Sequence, residues 1–127
     1  MFIGEFKRTV DKKGKLLLPK AFAASLATGL VVTRGFERNL MIFSRDRWQL
    51  LADAVLEQSI FSGDSRVLRR RLFSNAAELV PDRSGRIAIP DSLCEFADID
   101  DQAVLSGMYD YLEVWNNERW ERINEHT

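Results

Sequence analysis

"VDKKGKLLLP" (residues 10–19) and "PDRSGRIAIP" (residues 81–90) spell one pattern in different letters. Each reads Asp-x-x-Gly-basic, then three apolar residues, then proline. A glycine in a tight turn supplies the positive φ that other residues resist. An aspartate three positions earlier accepts hydrogen bonds from the turn's own amides. Asp11, Gly14, Asp82 and Gly85 are therefore expected to build two equivalent turns. The apolar triplets continue as short buried strands, and Pro19 and Pro90 end them where a helix begins.

Working outward, the repetition covers most of the 127 residues. At a separation of 71, Asp11 pairs with Asp82, Gly14 with Gly85, Lys15 with Arg86, Leu18 with Ile89 and Pro19 with Pro90. Farther on, a separation of 72 matches "VVTRGFERNLMIFSRDRW" (31–48) to "AVLSGMYDYLEVWNNERW" (103–120). Gly35 then falls on Gly107, Leu40 on Leu112, Phe43 on Trp115 and Trp48 on Trp120, with one residue gained near 97–102. Self-similarity of this kind decides architecture before local propensity does. The chain reads as a tandem duplication.

Each half has the plan β-β-α-β-β. A strand ends near Thr9-Val10, the glycine turn reverses it, and "LLL" or "IAI" follows. "KAFAASLAT" (20–28), stopped by Gly29, and "DSLCEFAD" (91–98) are the helices. Two strands close each half, "LVVTRG" with "LMIFS" and "AVLSG" with "LEVWN". Ser44 and Asn116 are expected N-caps of the helices that carry Trp48 and Trp120. Between the halves, Trp48, Leu51, Ala52, Val55 and Leu56 recur at helical spacing as one apolar stripe. Asp64 is expected to cap a second connector helix, with Leu68, Leu72 and Ala76 inward and Arg66, Arg69, Arg70 and Arg71 around its outer side. The boundaries expected are 5–47 for the first half, 48–75 for the connector, 76–119 for the second half and 120–127 for the end of the C-terminal helix.

The residue inventory narrows the chemistry. The net charge is −1, yet residues 5–20 hold six cations against Glu5 and Asp11, and "SRVLRRR" (65–71) is a second basic stretch. Such patches suit a polyanion even on a near-neutral chain. Cys94 is the only cysteine and His126 the only histidine. A disulfide framework, a His-containing metal site and a Ser-His or Cys-His pair are thereby disfavoured. The acidic loop of Asp98, Asp100 and Asp101 lacks the spacing of a calcium site. Trp48, Trp115 and Trp120 read as packing residues, and Cys94 as a small buried apolar one. Phosphate-loop and dinucleotide motifs are missing, and no spacing suggests paired catalytic carboxylates. No apolar run is long enough to cross a bilayer, and "MFIGEFKR" has no signal-peptide core. The expectation is a non-enzyme without cofactor, metal, membrane or small-molecule substrate, working in a reducing cytoplasm.

The turn geometry does not explain the cation after each glycine. Lys15 and Arg86 read either as ordinary solvated charges or as one surface used twice, and their repetition favours the second. A two-stranded β-ribbon fits the DNA major groove, where arginine donates two parallel bonds to guanine O6 and N7. Lys12, Lys13 and Arg83 would stand at phosphates and set register. No aromatic is interleaved with these turns, which disfavours a stacking platform for single strands. The basic helix reads as a solvated face or a subunit contact. A competing expectation is a protein-interaction scaffold in which the basic connector and the acidic C-terminal region pair between chains.

The opening "MFIGEFKRTVDKKGKLLLP", the "TRG" at 33–35, the "AAE" at 76–78 before "DRSGRIAIP", and Trp115-x-x-x-x-Trp120 together resemble the bacterial MraZ family over essentially the whole chain. The resemblance implies an α+β fold of the AbrB/SpoVT swapped-hairpin superfamily, the two halves interlacing into one barrel-like β core with connecting helices. It also implies a homo-oligomeric ring and a nucleoid-associated transcriptional regulator. Its ligand would be double-stranded DNA with short repeated G-containing boxes, upstream of the division and cell-wall gene cluster that includes its own gene. The family signature is Asp-x-x-x-Arg in both halves. Asp82 to Arg86 matches it, whereas Lys15 stands where arginine is usual, and a point ammonium lacks arginine's bidentate fork.

Overall fold

The structure is a computed structural model, and it describes residues 1–125; the His126 position lies outside the described residues. The first half contains β1 (Glu5–Thr9), β2 (Lys15–Leu17), α1 (Lys20–Leu26), β3 (Leu30–Arg34) and β4 (Leu40–Ser44). Two helices follow, α2 (Arg45–Leu56) and α3 (Gly63–Phe73). The second half contains β5 (Ala77–Leu79), β6 (Arg86–Ala88), α4 (Asp91–Ala97), β7 (Gln102–Gly107), β8 (Leu112–Asn116) and α5 (Asn117–Asn124). The fold is α+β, and every strand pairing is antiparallel.

Strands and helices follow the repeat; β3 pairs with β4 and β7 with β8 inside each half, while the remaining ladders cross between halves. β1 does not run as a ladder along β2, the simple hairpin expected from the turn. It pairs with β7 of the other half, and β2 pairs with β6. A six-stranded sheet of order β1-β7-β8-β4-β3-β5 results, with β2 and β6 as a separate two-stranded ribbon. The physical reason is burial. A three-residue strand pairing with a partner of its own length covers Leu16 with Ile87, both about 1% exposed.

The registers define an internal two-fold relation. Met41 faces Glu113 at the centre of β4–β8, and Leu16 faces Ile87 at the centre of β2–β6. Val32 opposite Ile42 corresponds to Leu105 opposite Val114. That correspondence corrects one alignment: β3 and β7 are related by 73 positions, because Val32 answers Leu105, while β4 and β8 keep 72. Gly107 therefore answers Arg34, not Gly35, and the turn before β8 is one residue shorter than the turn before β4. A one-residue slip would turn every buried side chain of the strand outward, so burial outweighs the glycine match.

The main core lies between the inner face of the sheet, the ribbon, α1 and α4. Leu16, Leu18, Phe22, Leu26, Ile87, Ile89 and Leu93 meet Leu30, Val32, Ile42, Leu105 and Val114 there. Burying each such side chain stabilises by about 1.5–3 kcal/mol. On the outer face, α2 and α3 cover Met41 and Phe43 with Val55, Leu72, Trp48 and Leu68. Ser44 and Asn116 cap α2 and α5 as expected, accepting from the amides of Arg47 and Arg119. α3 is capped by Ser62 rather than Asp64, which lies in its first turn. Leu56 is exposed, and Ala76 falls beyond the end of α3. Pro19 and Pro90 take the N-cap positions of α1 and α4. Among the described residues no helix is long and apolar enough to cross a membrane.

Candidate nucleic-acid interface

The two repeated turns are built alike from their own backbone. The Asp11 carboxylate accepts from the amides of Lys13 at 2.8 Å and Lys15 at 2.9 Å. Asp82 accepts from the amides of Ser84 at 2.9 Å and Arg86 at 3.0 Å, and from the Ser84 hydroxyl at 2.7 Å. Gly14 and Gly85 have φ of 76° and 85°, and each donates its amide to the carbonyl of its own aspartate. Asp11 and Asp82 thus hold the turns in the way the sequence predicts. The Lys15 amide bond is the main reason the Asp11 carboxyl lies below its ordinary range. For Asp82 the Arg86 amide contributes most and the Ser84 hydroxyl next, while the Lys15 ammonium of the other turn pulls in the same direction.

The two turns are joined through the ribbon they share. Lys15 stands opposite Ala88, and Leu17 opposite Arg86. Alternation sends Leu16 and Ile87 into the core and leaves Leu17, Arg86 and Ala88 exposed and Lys15 half-buried on the other face. Lys15 and Arg86 are thus diagonal neighbours on that face, about 7–8 Å apart. The glycine turns lie at opposite ends of the ribbon and are stitched across it. Leu18 donates its amide to the Gly85 carbonyl at 2.9 Å, and Ile89 to the Gly14 carbonyl at 3.0 Å. Each half closes the other half's turn.

The structure brings together all five expected cations, Lys12, Lys13, Lys15, Arg83 and Arg86, on the two turns and their common ribbon. Among the described residues no carboxylate lies within ion-pair distance of any of them. Arg86 is further fixed by donating Nη1 to the Ser84 hydroxyl at 3.1 Å. The first turn has Lys13 at the matching position, so Lys15 has no such hydroxyl. The difference between Lys15 and Arg86 therefore extends to how each is held.

Sequence reasoning missed Arg8. Its Nε donates to the Leu17 carbonyl at 2.9 Å, tying β1 to the flank of the ribbon. The signal was the alternation of β1, which puts Phe6 and Arg8 on one face. The basic helix adds contacts of its own to the expected outer face, where Arg66 and Arg70 are exposed. Arg66, Arg69 and Arg71 of α3 donate to the carbonyls of Ile60, Gln58 and Gly35, so these side chains brace their own chain. Cys94 is half-buried beside Ile89, and burial pushes its thiol up. Trp115 is buried against Trp120, and Asp98 caps α4 with a left-handed backbone and an ion pair to Arg119. Among the described residues no group of three or more His, Cys, Asp or Glu is placed to hold a metal ion. The ribbon offers hydrogen-bond donors and positive charge, the equipment for holding an anion in register.

Known proteins carry the same plan. The family model described as "MraZ protein, putative antitoxin-like" matches residues 1–71 and again 72–127, dividing the chain between its halves. A protein of Roseiflexus castenholzii named "Transcriptional regulator MraZ" is 46% identical over 97% of this chain and 86% of its own length. One of the same name from Herpetosiphon aurantiacus is 43% identical over the same shares. Another from Clostridium tetani is 32% identical over 98% of this chain and 88% of its own.

Proposed function

The chain belongs to the MraZ family, and from that premise we propose that it is a transcriptional regulator, not an enzyme, whose ribbon binds double-stranded DNA in the major groove. The observation that carries this reading is the placement of Lys15 and Arg86 as diagonal neighbours on the outer ribbon face, with no described carboxylate within ion-pair distance of either. A two-stranded ribbon has the width that the major groove admits, and Arg86 has the fork that guanine O6 and N7 accept. Lys15 supplies charge without that fork. Lys12, Lys13 and Arg83, exposed on the turn tips, take phosphates and give affinity that falls with salt.

The crossed pairing of β2 with β6 and the reciprocal bonds to Gly14 and Gly85 support assignment to the swapped-hairpin barrels of the AbrB/SpoVT superfamily. On this reading residues 5–47 and 76–119 are the two interlaced halves and 48–75 their connector. The targets are repeated G-containing boxes upstream of the division and cell-wall gene cluster, and the protein works in the cytoplasm at the nucleoid. Selecting duplexes from a random pool with the full-length protein tests this directly. Spaced G-containing boxes are the expected product, and a pool that emerges unenriched overturns the reading.

One ribbon makes few contacts, and specific DNA interfaces bury more surface than two turns supply. A homo-oligomeric ring solves this, because linked copies gain roughly 10²–10⁴ in avidity when their spacing matches the boxes. An uncovered apolar surface supports the oligomer. Phe61, at the tip between α2 and α3, is 90% exposed. An apolar groove of about 510 Å³, lined by Met41, Phe43, Leu51, Val55, Leu68 and Tyr111, opens between α2, α3 and the outer face of the sheet. A knob and a hole on one chain make a head-to-tail contact that closes a ring when the rotation allows. Phe61→Ser is expected to lower the assembly mass in light scattering while leaving the circular dichroism spectrum unchanged. An unaltered mass removes Phe61 from the contact.

A further inference from the structure

The duplication does not require the two flanks of the ribbon to match, and they do not. Arg8 in β1 stands opposite Ala103 in β7, and Leu79 in β5 stands opposite Leu30 in β3. These are equivalent positions of the two halves. One flank therefore carries a guanidinium and the other an isobutyl group.

Arg8 is held by three contacts of its own chain. Its Nε donates to the Leu17 carbonyl at 2.9 Å and its Nη1 to the Lys7 carbonyl at 3.0 Å. The guanidinium carbon lies 5.7 Å from the centroid of the Phe6 ring. Carbonyls and a ring orient a guanidinium without cancelling its charge, and among the described residues no carboxylate reaches it. Its Nη2 donors engage no described residue. Leu17, to which Arg8 is tied, is the residue opposite Arg86, so two guanidiniums flank the same end of the ribbon. At the other end Lys15 stands opposite Ala88, the counterpart of Leu17, and Leu79 is the counterpart of Arg8.

We propose that Arg8 is a pre-oriented phosphate clamp that grips the DNA backbone beside the Arg86 end of the ribbon. The interface is then directional. The Arg86 end then combines a base-reading arginine and the Arg83 turn tip with a fixed backbone clamp, and the Lys15 end has the lysines of its own turn and no guanidinium. Fixing the guanidinium before binding spares the side-chain ordering cost that a free arginine meets on contact. Its charge acts on phosphate whatever the base sequence, so its effect is on affinity and orientation and leaves base choice to Arg86. This assignment rests on the DNA-binding reading above.

Anisotropy titrations of full-length protein across a salt series test it, on a G-containing-box duplex and on a scrambled duplex. Arg8→Leu, the residue found at the equivalent position, is expected to weaken both duplexes alike, by roughly 3- to 10-fold at low salt. The slope of log affinity against log salt should shrink by about 1 for each engaged ribbon. Arg8→Gln removes the charge while keeping a donor for the Leu17 carbonyl, and should show the same loss of slope if the leucine variant folds poorly. An unchanged slope in both variants overturns the clamp. A loss confined to the box duplex overturns it too, since that is the behaviour of a base reader. Wild-type protein that binds neither duplex overturns the DNA-binding reading itself, and the clamp with it.

Discussion

Arg86→Ala should erase the preference for a G-containing box over a scrambled duplex, whereas Lys15→Ala should weaken both duplexes together. A bidentate arginine–guanine contact discriminates by about 1–3 kcal/mol, or roughly 5- to 150-fold for each ribbon that makes it. In the proposed ring the losses would compound, because every linked copy would forfeit the same contact. Arg86 is suited to the task by its setting. Its amide is fixed by Asp82, its Nη1 by Ser84, and its strand by the pairing with Leu17. Lys15 shares the amide bond to its own aspartate but lacks a hydroxyl partner and a planar fork. Its removal should lower affinity and flatten the salt dependence without relaxing base choice. The asymmetry is the informative part, and it can be measured in one set of gel-shift titrations with both duplexes. Equal loss of specificity in the two variants would mean that the ammonium reads guanine as well as the guanidinium does. Wild-type specificity in Arg86→Ala would take the ribbon out of base recognition.

Much of this was legible in the letters because turns are local. The Asp-x-x-Gly pattern fixes an aspartate–amide geometry within five residues, and that geometry is present in both halves. Caps are equally local, so Ser44 and Asn116 were found. Pairing is not local. Nothing within residues 5–17 announces that β2 will pair with β6, because Leu16 is satisfied by any apolar partner of suitable size. The repeat alignment of β7 departs for a related reason: the match of Gly35 to Gly107 competes with the alternation of Ala103 and Leu105, the residues of β7 that enter the main core. Arg8 escaped notice because its importance comes from a carbonyl nine residues away on another strand. Helix periodicity gives the arginines of α3 a solvated face or a subunit contact, and it cannot locate the backbone carbonyls that three of them reach.

The second large effect concerns the glycines, whose equivalence in sequence conceals unequal surroundings. Both have positive φ, so alanine at either position meets the left-handed penalty of about 1–2 kcal/mol. At Gly85 that is nearly the whole cost, since an added Cβ would meet only the Leu17 Cδ1 at 3.6 Å, an ordinary contact. At Gly14 the same Cβ would come within 2.5 Å of the Ile89 carbonyl oxygen. That oxygen belongs to backbone and cannot swing aside. Moving it displaces the Ile89 amide, which is bonded to the Gly14 carbonyl at 3.0 Å, and with it the entry to α4. Gly14→Ala should therefore cost about 3 kcal/mol or more, and Gly85→Ala about 1–2 kcal/mol. Chemical denaturation at one fixed protein concentration measures the difference, so that the association proposed above weighs equally on both variants. Comparable losses at the two sites would show that the first turn can move away from α4, and that the ribbon is less firmly seated on the core than its hydrogen bonds imply.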